Sequence, residues 1–163
     1  MREIKFRGRA SSTIHDTGIF KGQWVYGYYN GKKSSYAHFI MVDSVDSISD
    51  RNINIRVDMQ TIEQFTGLKD KNGVEIYEGD IVRWDDRSNG RHYRIAIVKI
   101  APDIQFDCSL GLSYGGMKSS SRDCFRFGNF IYKDTHNHLE VICNIHDNPE
   151  LCEAFRDGKI KLT

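Results

Sequence analysis

A mainly β protein is what this sequence predicts, and three observations predict it. Apolar residues recur at every second position in several short segments, the period of a half-buried strand. Aromatic residues make up 12% of the 163-residue chain while only 2 residues are proline, a bias that suits pleated surfaces. Asn-Gly pairs punctuate the chain at Asn30-Gly31, Asn72-Gly73 and Asn89-Gly90, and each is a strong turn signal between such segments.

Ile4 and Phe6 alternate with Lys5, Arg7 and Arg9, which gives a first strand with one basic face. The polar residues 11–17 read as a loop. Residues 20–29 read as a strand pair with a turn at Lys21-Gly22. Trp24, Tyr26 and Tyr28 then share one face by the two-residue period, and Val25 and Tyr29 share the other. The aromatic face is expected to pack in the core, with a peptide or partner surface as the alternative. A strand at 37–42 follows the Asn30-Gly31 turn, and a loop rich in Ser, Asp and Asn spans 43–54. Ile53, Ile55 and Val57 alternate again. Residues 61–65 lean to strand.

Asn72-Gly73 predicts a two-residue type I′ hairpin, which needs positive φ at both positions. Val74 and Ile76 alternate with Glu75 and Tyr77 beyond it. A second turn at Gly79-Asp80 leads into Ile81-Val82-Arg83-Trp84, an arrangement that commonly opens small SH3-like barrels. Residues 93–100 form the strongest strand, crowded with β-branched carbon. The alternation dissolves over 102–121, which reads as a long insertion. Segments 125–132 and 139–145 close the β region. Asn148 as N-cap, Pro149 and Glu150 then open a short helix with Leu151, Ala154 and Phe155 on its apolar side, ended by Asp157-Gly158. The predicted organisation is an N-terminal β region over 1–58, an SH3-like barrel with a long loop insertion over 59–147, and a C-terminal helix and tail over 148–163.

The run FTGLKDKNGVEIYEGDIVRW, residues 65–84, resembles the signature of the YopX family of phage and prophage proteins. MREIKFRGRA at the start, GQWVYGYY at 22–29 and VICNIHDNPEL at 141–151 resemble further parts of that family in the same order. The resemblance implies a mostly β protein with an SH3-like barrel, carried by phage or by integrated phage elements. It implies no activity, and it brings no catalytic residues with it.

The charge balance is close to even, with 23 basic and 22 acidic residues and a net charge of +1. A dedicated duplex-DNA binder carries a larger basic excess, because neutralised phosphates supply much of its affinity. The first ten residues contain four Lys or Arg and no apolar core, so they do not resemble a secretion signal. No apolar run approaches the roughly 20 residues of a membrane span. A cytoplasmic protein without membrane contact is expected, with Cys108, Cys124, Cys143 and Cys152 as reduced thiols.

Several groupings carry side chains suited to chemistry. Arg83, Arg87, Arg91 and Arg94 cluster around one hairpin with Trp84, His92 and Tyr93, which offers charge for phosphates and π-faces for unpaired bases. The structural alternative is a solvated hairpin balanced by Asp85 and Asp86. His136 and His138, with Cys143 and His146 nearby, have donor types that suit zinc, but short motifs of this kind arise often in ordinary loops. Cys124 between Arg122 and Arg126 hints at an activated thiol, against the plainer role of a small strand residue. Asp70, Glu75, Glu78, Asp80, Asp85 and Asp86 could hold Mg²⁺, yet turn geometry already accounts for most of them. Gly115-Gly116-Met117-Lys118 matches no phosphate loop, and no cofactor is expected.

The leading reading is therefore a non-enzymatic accessory module of phage or prophage origin. It would contact a protein partner or a second copy of itself through loops 85–92 and 103–121. The first alternative is nucleic-acid binding through Arg83, Trp84, Arg87, Arg91, His92 and Arg94. The second is a metal-dependent hydrolase or nucleotide-binding protein.

Overall fold

The computed structural model describes residues 3–31, 37–42, 52–85, 93–108, 113–114, 117–118, 124–130 and 138–147. The strands among them are β1 (Phe6–Arg9), β2 (Trp24–Gly31), β3 (His38–Val42), β4 (Ile53–Val57), β5 (Glu63–Lys69), β6 (Glu75–Tyr77), β7 (Asp80–Asp85), β8 (Tyr93–Ile100), β9 (Ile104–Asp107), β10 (Ser113–Tyr114), β11 (Met117–Lys118), β12 (Cys124–Arg126) and β13 (Glu140–Asn144). Helical backbone among the described residues is confined to short 3-10 turns, such as Met59–Thr61, and no described helix is long and apolar enough to cross a membrane. The chain divides into two compact units, Met1–Phe65 and Thr66–Thr163, and β5 carries it from one into the other.

In the first unit β1 to β4 form an antiparallel meander in the order β4-β3-β2-β1, and the start of β5 adds to β1 through Phe6↔Gln64 and Arg7↔Glu63. The meander curls. Ala10 and Val57 form an isolated bridge, with Ser11 N donating to Arg56 O at 2.9 Å and Asp58 N donating to Arg9 O at 2.9 Å. The concave side holds Val25, Ile40, Ile55 and Val57, each at most 4% exposed. Gly27 permits the tight coil, since a Cβ there would lie 2.0 Å from the carbonyl oxygen of Met41. With a small core of about this size, removing these side chains from water is the main stabilising term.

The second unit contains a five-stranded antiparallel sheet in the order β12-β9-β8-β7-β13. Val82, Trp84, Ala96, Val98 and Phe106 lie on one side of it and pack with Ile76, Cys108 and Leu139. Ile81, Ile95 and Ile97 on the other side are also buried, which explains why β7 and β8 read as nearly continuous apolar runs.

The mainly β class is as expected, in antiparallel sheets. A closed SH3-like barrel is not formed among the described residues: the five-stranded sheet is open, and β5 begins by pairing with β1. The C-terminal helix expected from Asn148 onward lies outside the described residues; of the strand expected at 125–132, β12 covers 125–126, a 3-10 turn takes Phe127–Phe130, and 131–132 lie outside the described residues. The expected insertion at 102–121 contains β9, whose Ile104 and Phe106 alternate into the core. Their short two-step alternation was masked by the polar Pro102-Asp103 before it.

The Asn72-Gly73 turn also differs from expectation. Gly73 N donates to Asp70 O, and Asp70 N donates to Val74 O. Gly73 takes positive φ, at 83°. This is the three-residue hairpin loop with glycine in the left-handed position, not the two-residue type I′ turn. Asp70 decides between them: its Oδ1 accepts from Asn72 N at 2.7 Å and Val74 N at 2.9 Å, which holds the longer loop.

Candidate binding face on the N-terminal sheet

Because Val25 and Gly27 face the concave core, the alternate residues of β2 must face outward. Trp24, Tyr26 and Tyr28 therefore line the convex side. The registers Arg9↔Trp24 and Arg7↔Tyr26 set the cations of the first strand among these rings. The Arg7 and Arg9 guanidinium carbons lie 4.7 and 4.8 Å from the Trp24 ring centroid, and Lys5 Nζ lies 5.9 Å from that of Tyr26. These are cation–π distances. Trp24 is half-buried, while Tyr26 and Tyr28 are 43% and 46% exposed. The expectation that this aromatic face packs in the core is thus corrected for the two tyrosines. The curl chose the Val25 face for its interior, because only that side has Gly27 at the point of closest approach.

Arg7 has a second task. Its Nε donates to Glu63 Oε2 at 2.7 Å, and its Nη2 lies at 2.7 Å from the same oxygen, with both residues under 9% exposed. This buried pair fixes β5 against β1. Arg9 Nη1 donates to Gly22 O at 2.7 Å, which ties the strand to the turn before β2.

Where β1 and β4 meet, the surface forms an open groove of about 680 Å³. Arg9, Lys21 and Arg56 line it with the hydroxyl residues Ser11 and Ser12. Asp58 also lines it, but its Oδ1 accepts from Gln60 N at 3.0 Å and so caps the 3-10 turn. Three cations against one engaged carboxylate leave the groove positive. Lys21 and Arg56 are exposed, and among the described residues neither has a carboxylate within ion-pair distance. The near-neutral net charge conceals a gradient: the first 42 residues hold seven Lys or Arg and two Asp or Glu. Lys21 and Arg56 were missed by sequence reasoning. The inward alternation of Ile55 and Val57 placed Arg56 outward, but only the Ala10↔Val57 bridge brings it to Arg9.

The hairpin between Arg83 and Arg94 is used differently. Trp84 is 3% exposed and meets Phe106 and Phe125 edge-on, with ring centroids 5.8 and 6.0 Å apart. Its ring is not presented to any base. Arg83 is bound to Glu140, with Nε and Nη2 at 3.1 and 3.0 Å from Oε2. Arg94 packs over Phe125 at 5.3 Å. Arg87, Arg91 and His92 lie outside the described residues, as do residues 86–92 of the contact loop expected at 85–92 and residues 109–112, 115–116 and 119–121 of that expected at 103–121.

The acidic residues of the signature hold backbone. Asp70 Oδ2 accepts from Val141 N at 3.1 Å, and Lys71 N donates to Leu139 O at 2.9 Å. Asp80 is 1% exposed and accepts from Tyr77 N at 2.8 Å and Asn144 Nδ2 at 3.1 Å. Glu75 accepts from the Tyr77 hydroxyl, and Glu78 from Ile100 N. The signature stretch and the closing stretch are thus one interlocked unit. Glu140 completes it. The Lys71 ammonium, 2.6 Å away, holds its carboxyl below the usual carboxylate range, with Arg83 adding to the effect against the cost of burial. Among the described residues no three His, Cys, Asp or Glu side chains converge to hold a metal; His136 lies outside them. Cys124 is exposed and its thiol donates to Gln105 Oε1 at 3.3 Å.

A family model described as YopX protein matches residues 20–153 of the chain. The chain belongs to the YopX family. The matched span contains both interlocked stretches of the YopX unit and, on the convex face, Lys21, Trp24, Tyr26, Tyr28 and Arg56; Lys5, Arg7 and Arg9 precede it. The crystal structure of protein EF1440 from Enterococcus faecalis is similar at 22% identity, over 93% of this YopX chain and 99% of that one, with a TM-score of 0.45. No curated protein matches.

Proposed function

We propose that this YopX protein is a non-catalytic accessory module of phage or prophage origin whose contact surface is the convex face of its N-terminal sheet. One observation carries the reading. Tyr26 and Tyr28 are large rings left 43% and 46% exposed on a face where Lys5, Arg7 and Arg9 stand among the aromatics. Aromatic and arginine side chains grouped on a surface are the residues that dominate binding energy at interfaces. The acidic and polar residues of the signature are engaged in holding turns, which favours scaffold over chemistry for that half. On this reading the second unit is an opened relative of the SH3-like barrel, serving as support.

A photo-crosslinking amino acid tests the reading when placed at position 28 and, as a control, at the exposed turn residue Val74. In bacterial cells expressing the full chain, adducts are expected from position 28 and not from position 74. Adducts in equal yield from both, or from neither, would sink the reading.

A further inference from the structure

We infer that the partner of this face is single-stranded nucleic acid, bound with its bases on Tyr26 and Tyr28 and a backbone phosphate in the groove of Arg9, Lys21 and Arg56. The inference rests on the proposed contact face and names what it contacts. Two independent features on one sheet lead to it. The first is a pair of exposed rings on a strand, two residues apart and so about 6.8 Å from each other along it. That is two steps of the roughly 3.4 Å rise of a stacked strand. Rings presented in this way stack on bases that are unpaired, and duplex bases are already covered on both sides.

The second is the groove, which lies off the end of the same face and shares Arg9 with it. Its cations suit phosphate oxygens: Arg56 and Lys21 supply charge-assisted donors, and the Ser12 hydroxyl adds a neutral one, while the Ser11 hydroxyl donates to Arg56 O at 3.2 Å. A protein or peptide partner would need compensating carboxylates at the groove and a use for the tyrosines. A polyanion whose every unit carries both a phosphate and a flat ring meets both demands at once. Tyrosine tolerates any base, so stacking without sequence preference is expected. The depth of the duplex grooves is not matched, since the face offers rings and not a projecting helix or ribbon.

Fluorescence polarisation with the full chain at low salt tests this. The probes are a labelled oligothymidylate, an oligouridylate and a duplex, each about 16 nucleotides long, the upper end of the usual site size. Saturable binding of at least one single strand, tighter than the duplex by about tenfold or more, is expected. The two single-strand arms decide between DNA and RNA. Tyr26→Ala with Tyr28→Ala is expected to raise Kd about tenfold or more without changing the salt dependence much. Lys21→Ala with Arg56→Ala is expected to weaken binding and to flatten the slope of log K against log salt by about 0.7, the share of one phosphate on a single strand. These side chains are exposed, so unchanged tryptophan fluorescence will confirm that both variants fold. Flat titrations with both single strands, equal affinity for duplex, or indifference to both double variants would overturn the inference. Crosslinks from position 28 that are destroyed by protease and resist nuclease would also overturn it, while leaving the contact face itself in place.

Discussion

The two units use the same pair of residue types, arginine beside an aromatic ring, to opposite ends. In the first unit Arg9 and the buried, Glu63-paired Arg7 pack over a half-buried Trp24 on an outward face, next to two exposed tyrosines. In the second, Trp84 is sealed among Phe106 and Phe125, and Arg83 is tied to Glu140. The difference is positional. β7 is a central strand whose two sides are both buried, so a ring on it must join a core and a cation on it must find a counter-charge. β2 curls around a core on one side only, and its other side keeps whatever the alternation places there. A cluster of arginine and tryptophan in sequence is therefore ambiguous until the strand's position in its sheet is known.

That contrast can be broken most directly at its two tryptophans, which report one unit each. Trp84→Ala is expected to cost about 3–5 kcal/mol, the loss of a large buried side chain, in urea denaturation followed by circular dichroism. Tyr26→Ala with Tyr28→Ala should stay within about 1 kcal/mol in the same experiment, as exposed positions do. Equal costs would mean that the faces are not distinct.

Within the first unit, Glu63→Ala removes the carboxylate paired with the buried Arg7 guanidinium and is expected to cost about 3 kcal/mol or more. Replacing both residues with apolar ones of similar size should recover most of that loss. A Glu63→Ala variant as stable as the parent would remove the buried pair from the account of how β5 is held. Gly27→Ala forces a methyl against the Met41 carbonyl and should cost about 1–3 kcal/mol through the shift of β3 that it requires. In the second unit Asp80→Ala leaves Tyr77 N and Asn144 Nδ2 without their acceptor, for about 2 kcal/mol. Hydrogen exchange should localise that loosening to the amides of β6 and β13.

The smallest expected effect is a pH dependence. The Glu140 carboxyl is held low in the folded chain, so its contribution is present above the unfolded value of about 4.3 and fades as pH falls below it, through the lowered folded value. Glu140→Gln should flatten that part of the acid limb in pH-dependent thermal denaturation, with little change between pH values of about 6 and 8. An unchanged acid limb would mean that Lys71 and Arg83 do not bias this carboxyl.

Much of the fold was legible because a two-residue alternation has one main physical meaning. The sets Ile53, Ile55, Val57 and Ile95, Ile97, Val98 were readable as strands without any tertiary information, and Gly73 and Gly79 as turns, since left-handed backbone favours glycine. The carboxylates of the signature were likewise legible as turn residues from Asx chemistry. What alternation cannot say is which of two faces is inside. Trp24, Tyr26 and Tyr28 outweigh Val25 and Gly27 in apolar area, yet the smaller pair faces the core, because the coil of the sheet needs a residue without a Cβ at Gly27. Nor can spacing along the chain bring Arg9, Lys21 and Arg56 to one groove; that follows from the single bridge between Ala10 and Val57. By itself the sequence determined strand, turn and family, which are set by local backbone preference and by ancestry. The tertiary structure alone decided which side of each strand meets water, because that is settled by how the sheet closes on itself, which the alternation within one strand does not show.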